Sequence, residues 1–147
     1  MSSSSSRTSA EAYAVARRLH ELTDAARHAF AAVASVHGLS APQARLILRL
    51  FEATAMRDLA DHLACDTSNV TGIAARLIER GFITATPGSD RRVKLLELTP
   101  SGRQLRAALQ RQVAEASPVI TRLSDAERRT LIRLLGKLVD PNAAEPG

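Results

Sequence analysis

The sequence predicts a mainly α-helical chain that carries one small β-hairpin, and three observations predict it. Apolar residues recur at alternating three and four spacing over most of the 147 residues, the period of helices with one buried face. That period gives way once, to FITATP (Phe82 to Pro87) and VKLLEL (Val93 to Leu98), short runs rich in β-branched and apolar residues around a Gly88-Ser89-Asp90-Arg91-Arg92 turn. Ser or Thr followed three positions on by Glu or Gln marks a helix start at Thr8, Ser40 and Ser124.

Taken in order, Met1 to Arg7 is serine-rich with little to bury, so residues 1–8 are expected to be a disordered tail. Thr8-Ser9-Ala10-Glu11 reads as a capping box, and Val15, Leu19, Leu22, Ala26, Phe30 and Val33 follow on one face up to Gly38, a residue suited to a left-handed helix end. About 27 residues at 1.5 Å each make a helix of roughly 40 Å. An element of that length near a terminus reads as a strut that faces a partner. Ser40-Ala41-Pro42-Gln43 opens a second helix with proline in its first turn, and Leu46, Ile47, Leu50 and Phe51 form its expected buried side. Glu52 to Ala55 reads as a plain connection to MRDLADHLA, where Met56, Leu59, Ala60 and Leu63 are helically spaced.

The stretch DTSNVTGIAARLIER, Asp66 to Arg80, carries the functional signal. Asp66 and Thr67 offer side-chain oxygens at a helix start. Val70, Ile73, Ala74 and Leu77 give it a core face, while Ser68, Asn69, Gly72 and Arg76 step around the opposite face with Thr71 at the edge. Small hydrogen-bonding residues followed by an arginine suit a helix pressed against nucleic acid. Two helices joined by Ala64-Cys65-Asp66 form a helix-turn-helix pattern, and the hairpin behind it, with Arg91, Arg92 and Lys94 against Asp90, completes a winged helix-turn-helix. Thr99-Pro100 restarts helix through Leu105, Leu109, Val113, Ala116, Ile120 and Leu123, with a kink or break expected near Ser117 ahead of Pro118. Ser124 to Glu127 opens a last helix through Leu131, Leu134, Leu135 and Leu138, ended by Asp140-Pro141. The expected division is therefore a winged helix-turn-helix lobe at residues 39–99, flanked by helical regions at 9–38 and 100–140 that face a partner, and a polar tail at 141–147.

Composition narrows the function without naming it. The net charge is +5 and every cation but Lys94 and Lys137 is arginine, the side chain that pairs with phosphate and guanine in two-pronged fashion. Residues 40–100 nevertheless hold eight Arg/Lys against seven Asp/Glu, so a DNA surface there rests on the placement of cations and not on bulk charge. One cysteine excludes an internal disulfide, and neither an export signal nor a membrane-length apolar run is present, which makes a cytoplasmic protein the expectation. No glycine-rich phosphate loop, nucleophile elbow or paired-carboxylate arrangement points to an enzyme. No metal site is expected: His20 and His28 share a face but lie two turns apart with no Cys or carboxylate cluster beside them. No cofactor is implied.

The element order and the residues both resemble the MarR family of bacterial transcription regulators. LADHLACDTSNVTGIAARLIERGFI resembles that family's helix-turn-helix motif, with CDTSNVTG similar to a common bacterial branch of it, and SDRRVKLLELTPSG resembles its D-x-R wing tip followed by a strand and L-T-xx-G. The resemblance covers roughly residues 10 to 140 and implies a homodimer with interleaved terminal helices on pseudo-palindromic double-stranded DNA, usually a repressor released by a small-molecule effector. Carried over, Thr67, Ser68, Asn69, Thr71, Gly72 and Arg76 face bases and phosphates, and Asp90, Arg91, Arg92 and Lys94 form the wing contact, Asp90 orienting the Arg92 guanidinium. An effector pocket is implied near Tyr13, Arg17, His20, Arg45 and Arg49. The chain departs from many members at Gly72, where they carry a large polar or basic residue, and between Phe51 and Arg57, which is shorter here.

Other readings stand beside this one. Ser68, Asn69 and Thr71 also fit an ordinary solvated helix face, Arg76 an ion pair with Glu79 or Asp90, Arg92 a salt bridge with Asp90, and the five pocket residues plain helix surface. Cys65 at a helix start allows a redox-responsive regulator, and the near-neutral lobe allows a winged-helix module that binds protein. Steep salt dependence separates DNA binding from an apolar protein interface.

Overall fold

The computed structural model describes the backbone of residues 2–63, 67–117 and 121–139, with side chains from Thr8 onward except those of His62 and Thr67. Cys65, the Asp66 cap, Pro118 and the tail at 141–147 lie outside the described residues. Among the described residues six helices and three strands follow in order: α1 (Ser2–Val36), α2 (Ala41–Arg49), β1 (Thr54–Ala55), α3 (Met56–Leu63), α4 (Thr67–Glu79), β2 (Ile83–Pro87), β3 (Lys94–Leu98), α5 (Pro100–Ala116) and α6 (Asp125–Val139).

Local chemistry sets most of the helix ends. Ser40 caps α2 in a complete capping box, its Oγ accepting from the Gln43 N–H while Gln43 Oε1 accepts from the Ser40 N–H. Ser124 and Glu127 repeat the arrangement ahead of α6. Both α1 and α4 end on a glycine with positive φ, Gly38 at 64° and Gly81 at 73°. Each is followed by the paired reverse bonds of a Schellman motif: Leu39 N–H to Ala34 O with Gly38 N–H to Ser35 O, and Phe82 N–H to Leu77 O with Gly81 N–H to Ile78 O. The expected break near Ser117 is present, α5 stopping at Ala116 with Ser117 extended at φ −72°, ψ 127°.

The core is aliphatic and sits in the lobe. Leu46 and Ile47 of α2, Leu59 of α3, Val70, Ala74 and Leu77 of α4, Ile83 of β2, Leu96 of β3 and Leu109 of α5 are all nearly or fully sealed from water. From α1 only its last turns contribute, through Val33 and Ala34. The α4 side chains that enter this core are those its helical spacing predicts, which locks the rotation of α4 and turns Ser68, Asn69, Gly72 and Arg76 outward.

Four expectations need correction. Helix α1 begins at Ser2, so residues 2–8 are its opening turns and Thr8 lies inside it; nothing in the serine run, neither glycine nor proline, stops a helix from extending backward. Phe51 is 70% exposed, not buried. Helix α2 ends at Arg49, Leu50 turns away at φ −85°, ψ 81°, and helical spacing no longer governs the next side chain. Glu52 to Ala55 is not a plain connection, because Thr54 and Ala55 form β1 and pair antiparallel with Leu96 and Leu95. The hairpin is thus part of a three-stranded sheet in the order β1-β3-β2. Pro87 ends the edge strand β2, where its missing N–H breaks no ladder. The fourth is Asp90, whose carboxylate accepts from a backbone N–H of the wing and not from a guanidinium.

Candidate nucleic-acid interface

The outward face of α4 is built by what its inward face must do. With Val70, Ala74 and Leu77 buried, Ser68 and Asn69 in the first turns and Arg76 two turns later stand exposed on the other side, Gly72 between them. The first turn of α2 forms the opposite wall of a shallow groove there, with Ser40, Pro42 and Gln43 across from Asn69, Gly72, Ile73 and Arg76. Those α2 residues are missed by sequence reading; the capping box places them at a helix start but says nothing of which helix lies alongside. Arg76 makes no ion pair among the described residues, so neither Glu79 nor Asp90 holds it. Thr71 has a different role from its neighbours: its hydroxyl donates to Met56 Sδ at 3.5 Å and ties α4 to α3. Thr67 begins α4, and its side chain lies outside the described residues.

The wing follows directly from the end of α4. Gly81 reverses the chain into β2, and the register runs from Ile83 opposite Leu98 to Pro87 opposite Lys94. Its tip is closed by Gly88 N–H to Val93 O at 2.8 Å and Val93 N–H to Asp90 O at 2.9 Å. Asp90 does not hold the Arg92 guanidinium, as the resemblance implied. Its Oδ1 accepts from the Arg92 backbone N–H at 3.0 Å, a turn-forming bond typical of aspartate at such a position. The carboxylate therefore shapes the loop while Arg91, Arg92 and Lys94 remain exposed and, among the described residues, without ion pairs.

A clamp fixes the base of the wing. Thr99 caps α5, accepting from Gly102 N–H at 3.1 Å, and its hydroxyl donates to Gly81 O at 2.6 Å while its own N–H donates to Phe82 O at 3.0 Å. Gly102 lies against this strand of backbone so closely that a Cβ there would stand 1.9 Å from Phe82 O. The L-T-xx-G pattern thus joins α5 to the turn between α4 and the wing. Arg80 adds a second tie, its two terminal nitrogens donating to Gly38 O at 2.8 Å and His37 O at 3.0 Å with the guanidinium 5.0 Å over the Phe82 ring.

The five expected pocket residues are not gathered into one cavity in the single chain. Tyr13, Arg17 and His20 stand on the exposed part of α1, Arg17 paired with Glu21 and His20 3.9 Å from Asp24. Arg45 is exposed on α2. Arg49 alone of the five lines the larger cleft, an open space of about 520 Å³ bounded also by Phe51, Thr54, Asp58 and Leu95. No cluster of three or more metal-binding side chains occurs among the described residues, and no helix there is long and apolar enough to cross a membrane.

Residues 39–94 match the MarR family model. A protein of Thauera aromatica described as a transcriptional regulatory protein for the hcr operon is 37% identical over 90 residues, which cover 60% of this chain and 54% of that protein, so the chain spans about half the length of this curated relative. Among solved structures, a MarR transcriptional regulator from Methanosarcina mazei Go1 superposes with a TM-score of 0.76 at 18% identity, covering 87% of this chain and 95% of that one. A mutant MarR from E. coli, solved in complex with operator DNA, gives a TM-score of 0.70 at 21% identity, covering 88% and 96%. The stretch that holds α4 and the first strand of the wing is thus similar to the MarR family model, and the chain has the winged-helix fold of the MarR structures.

Proposed function

We propose that this protein is a homodimeric, sequence-specific DNA-binding transcriptional regulator of the MarR type, a cytoplasmic repressor and not an enzyme. It would set α4 in the major groove and the wing tip against the minor groove of each half of a pseudo-palindromic operator. The observation that carries this reading is the pairing, in one lobe, of an outward α4 face bearing Ser68, Asn69 and Arg76 with a wing tip whose Arg91, Arg92 and Lys94 have no ion-pair partner among the described residues. An arginine left unpaired at a turn is ready to enter a narrow minor groove, where the potential is most negative. The operator-bound E. coli relative supports the same use of the shared fold.

Dimerisation is supported by what the single chain leaves uncovered. Every residue of α1 from Thr8 to His28 is exposed, Val15, Leu19 and Leu22 included, and α6 buries no residue although Ile132, Leu134, Leu135 and Leu138 line it. A helix of 35 residues is about 52 Å long, and only its last turns join the lobe, while long helices of ordinary composition take most of their stability from packing an apolar face. A second copy covering these faces makes residues 9–38 and 100–140 the dimerisation region and 39–99 the DNA-binding lobe. Release by a small-molecule effector belongs to the same proposal. Its site, near Tyr13, Arg17, His20, Arg45 and Arg49, would be completed by the partner's helices.

Selection of duplexes from a random pool, followed by binding of the winner at several salt concentrations, tests this directly. An enriched palindrome and a steep fall in affinity with salt are expected. Arg92→Ala should weaken operator binding by about tenfold or more, on about 1.5–3 kcal/mol for a charged hydrogen bond, without altering the unfolding midpoint. Unchanged affinity for that variant would remove the wing arginine from the interface, and a salt-insensitive protein that enriches nothing would point to the protein-binding alternative.

A further inference from the structure

Glycine within a helix costs about 1 kcal/mol relative to alanine, and of the helical glycines Gly72, Gly102 and Gly136 among the described residues, Gly72 stands on the helix read as meeting the duplex and so calls for a cause. At Gly102 the cause is contact, the Phe82 carbonyl occupying the space of a side chain. Gly72 has none among the described residues. It lies at the sixth of thirteen positions of α4, its φ is not in the left-handed region, and a Cβ built on it meets nothing within 4 Å. The fold would accept alanine there and gain stability from it.

The surroundings of Gly72 suggest what the missing side chain is for. It lies four positions after Ser68 and three after Asn69, hence on the same face and one turn along. Ser68 and Asn69 are short, so they reach a base edge only from a helix seated deep in the groove. A helix with its side chains is about 10–12 Å across and the major groove about 12 Å wide, which leaves no slack at the centre of the contact. A side chain at position 72 would stand between α4 and the groove floor and hold both readers away.

Resting on the DNA-binding reading above, we propose that Gly72 is a specificity-determining position: its bare backbone is the point of closest approach between α4 and the duplex, and it gives Ser68 and Asn69 their reach to base edges. Its effect falls on sequence-specific binding, because a helix held further out still meets phosphates through Arg76 and the wing.

The test compares Gly72→Ala and Gly72→Gln with the unaltered protein in thermal unfolding, and by fluorescence anisotropy on the duplex that the unaltered protein selects from a random pool and on a scrambled duplex of equal length. Gly72→Ala should raise Tm by about 2–5 °C. It should also weaken binding to the selected duplex by at least about tenfold, and Gly72→Gln further, while affinity for the scrambled duplex changes by less than about twofold. Loss of binding with gain of stability is a combination that a purely structural role cannot give. Selected-duplex affinity kept within about twofold in Gly72→Ala, or equal losses on both duplexes, overturns the inference and leaves the DNA-binding reading standing. An unaltered protein that enriches no sequence overturns that reading and the inference with it.

Discussion

Gly102→Ala should unfold this protein more readily than the removal of a single methyl-sized contact would, although it adds only one carbon. The new Cβ would lie 1.9 Å from Phe82 O, 3.0 Å from Phe82 C and 3.1 Å from Leu98 Cδ2. The first of these is a backbone atom, so no rotamer change relieves it. For the carbonyl to recede even to 3.0 Å, the start of α5 and the turn after α4 must part by about 1.1 Å. That shift strains the Thr99 N–H to Phe82 O bond, the Thr99 hydroxyl bond to Gly81 O and the cap on Gly102 N–H. Overpacking costs about 1–3 kcal/mol and a weakened cap with its bonds about 1–2 kcal/mol more, for a net loss of about 2–5 kcal/mol against the roughly 5–15 kcal/mol typical of a domain. Urea unfolding at fixed protein concentration measures it, since dimerisation, as proposed, would make the midpoint depend on concentration. With a slope of about 2 kcal/mol per molar, the midpoint should fall by roughly 1–2.5 M. A loss below about 1 kcal/mol at unchanged slope would refute the claim that this contact clamps α5 to the base of the wing.

Three further outcomes follow from the same structure. Arg80→Ala should cost about 1–2 kcal/mol, the low end for two charged hydrogen bonds because the side chain is exposed; an unchanged urea midpoint would show that water serves the His37 and Gly38 carbonyls equally well. Leu77→Ala, at a fully sealed position of α4, should cost about 2–5 kcal/mol and depress DNA binding only in proportion to the unfolded fraction, a result that a stable but non-binding variant would contradict. The backbone N–H of Ser124, and after it the Ser124 hydroxyl, hold the Glu127 carboxyl below its ordinary 4.5. A lowered carboxyl pKa stabilises the fold above the unfolded value and ceases to do so as pH falls through the folded one. The start of α6 should therefore loosen on acidification below about pH 4.5, with the Ser124 amide signal in NMR titrating in step and losing its titration in Glu127→Gln. A Ser124 amide indifferent to pH would sink that cap.

What the sequence reveals here is what is settled within a few residues. The Ser40, Thr99 and Ser124 caps, the Gly38 terminus and the break at Ser117 depend on neighbours three or four positions away, and each is legible as a motif. The α4 face is legible for the same reason, its period dividing core from surface residue by residue. What was hidden depends on distant partners. Two residues of β1 carry no strand pattern of their own and exist as a strand because Leu95 and Leu96, some forty positions on, supply the ladder. Phe51 continues the α2 pattern by spacing, yet the helix ends before it and the ring lies 5.2 Å from the Arg106 guanidinium. Asp90 beside Arg92 invites an ion pair, but a tight turn brings the carboxylate to the nearer backbone N–H. For the candidate site, α4 and the wing could be named in advance; the groove wall from α2 and the outward turn of Thr71's hydroxyl toward Met56 could not, because both rest on how helices pack.

The arginine excess is the clearest case of one compositional fact with two physical causes. Read as composition, it suggests phosphate and guanine. Several of these side chains instead finish the backbone: Arg80 serves the end of α1, Arg106 donates to Leu50 O just past α2, Arg103 to Leu98 O at the end of β3 and Arg128 to Leu123 O ahead of α6. Element ends present carbonyls with no partner in their own helix or strand, and a planar fork on a long stem reaches them while its face stacks on an aromatic ring, as at Phe82 and Phe51. A lysine is a single point charge and cannot do both. Seven of the eight cations in residues 40–100, all but Arg80, make no such bond and no ion pair among the described residues. The near-neutral sum over that lobe therefore understates the positive charge it leaves without ion pairs among the described residues. Charge there is held by side chains that the fold does not use, and those on α4 and the wing tip stand on the elements that a duplex would meet.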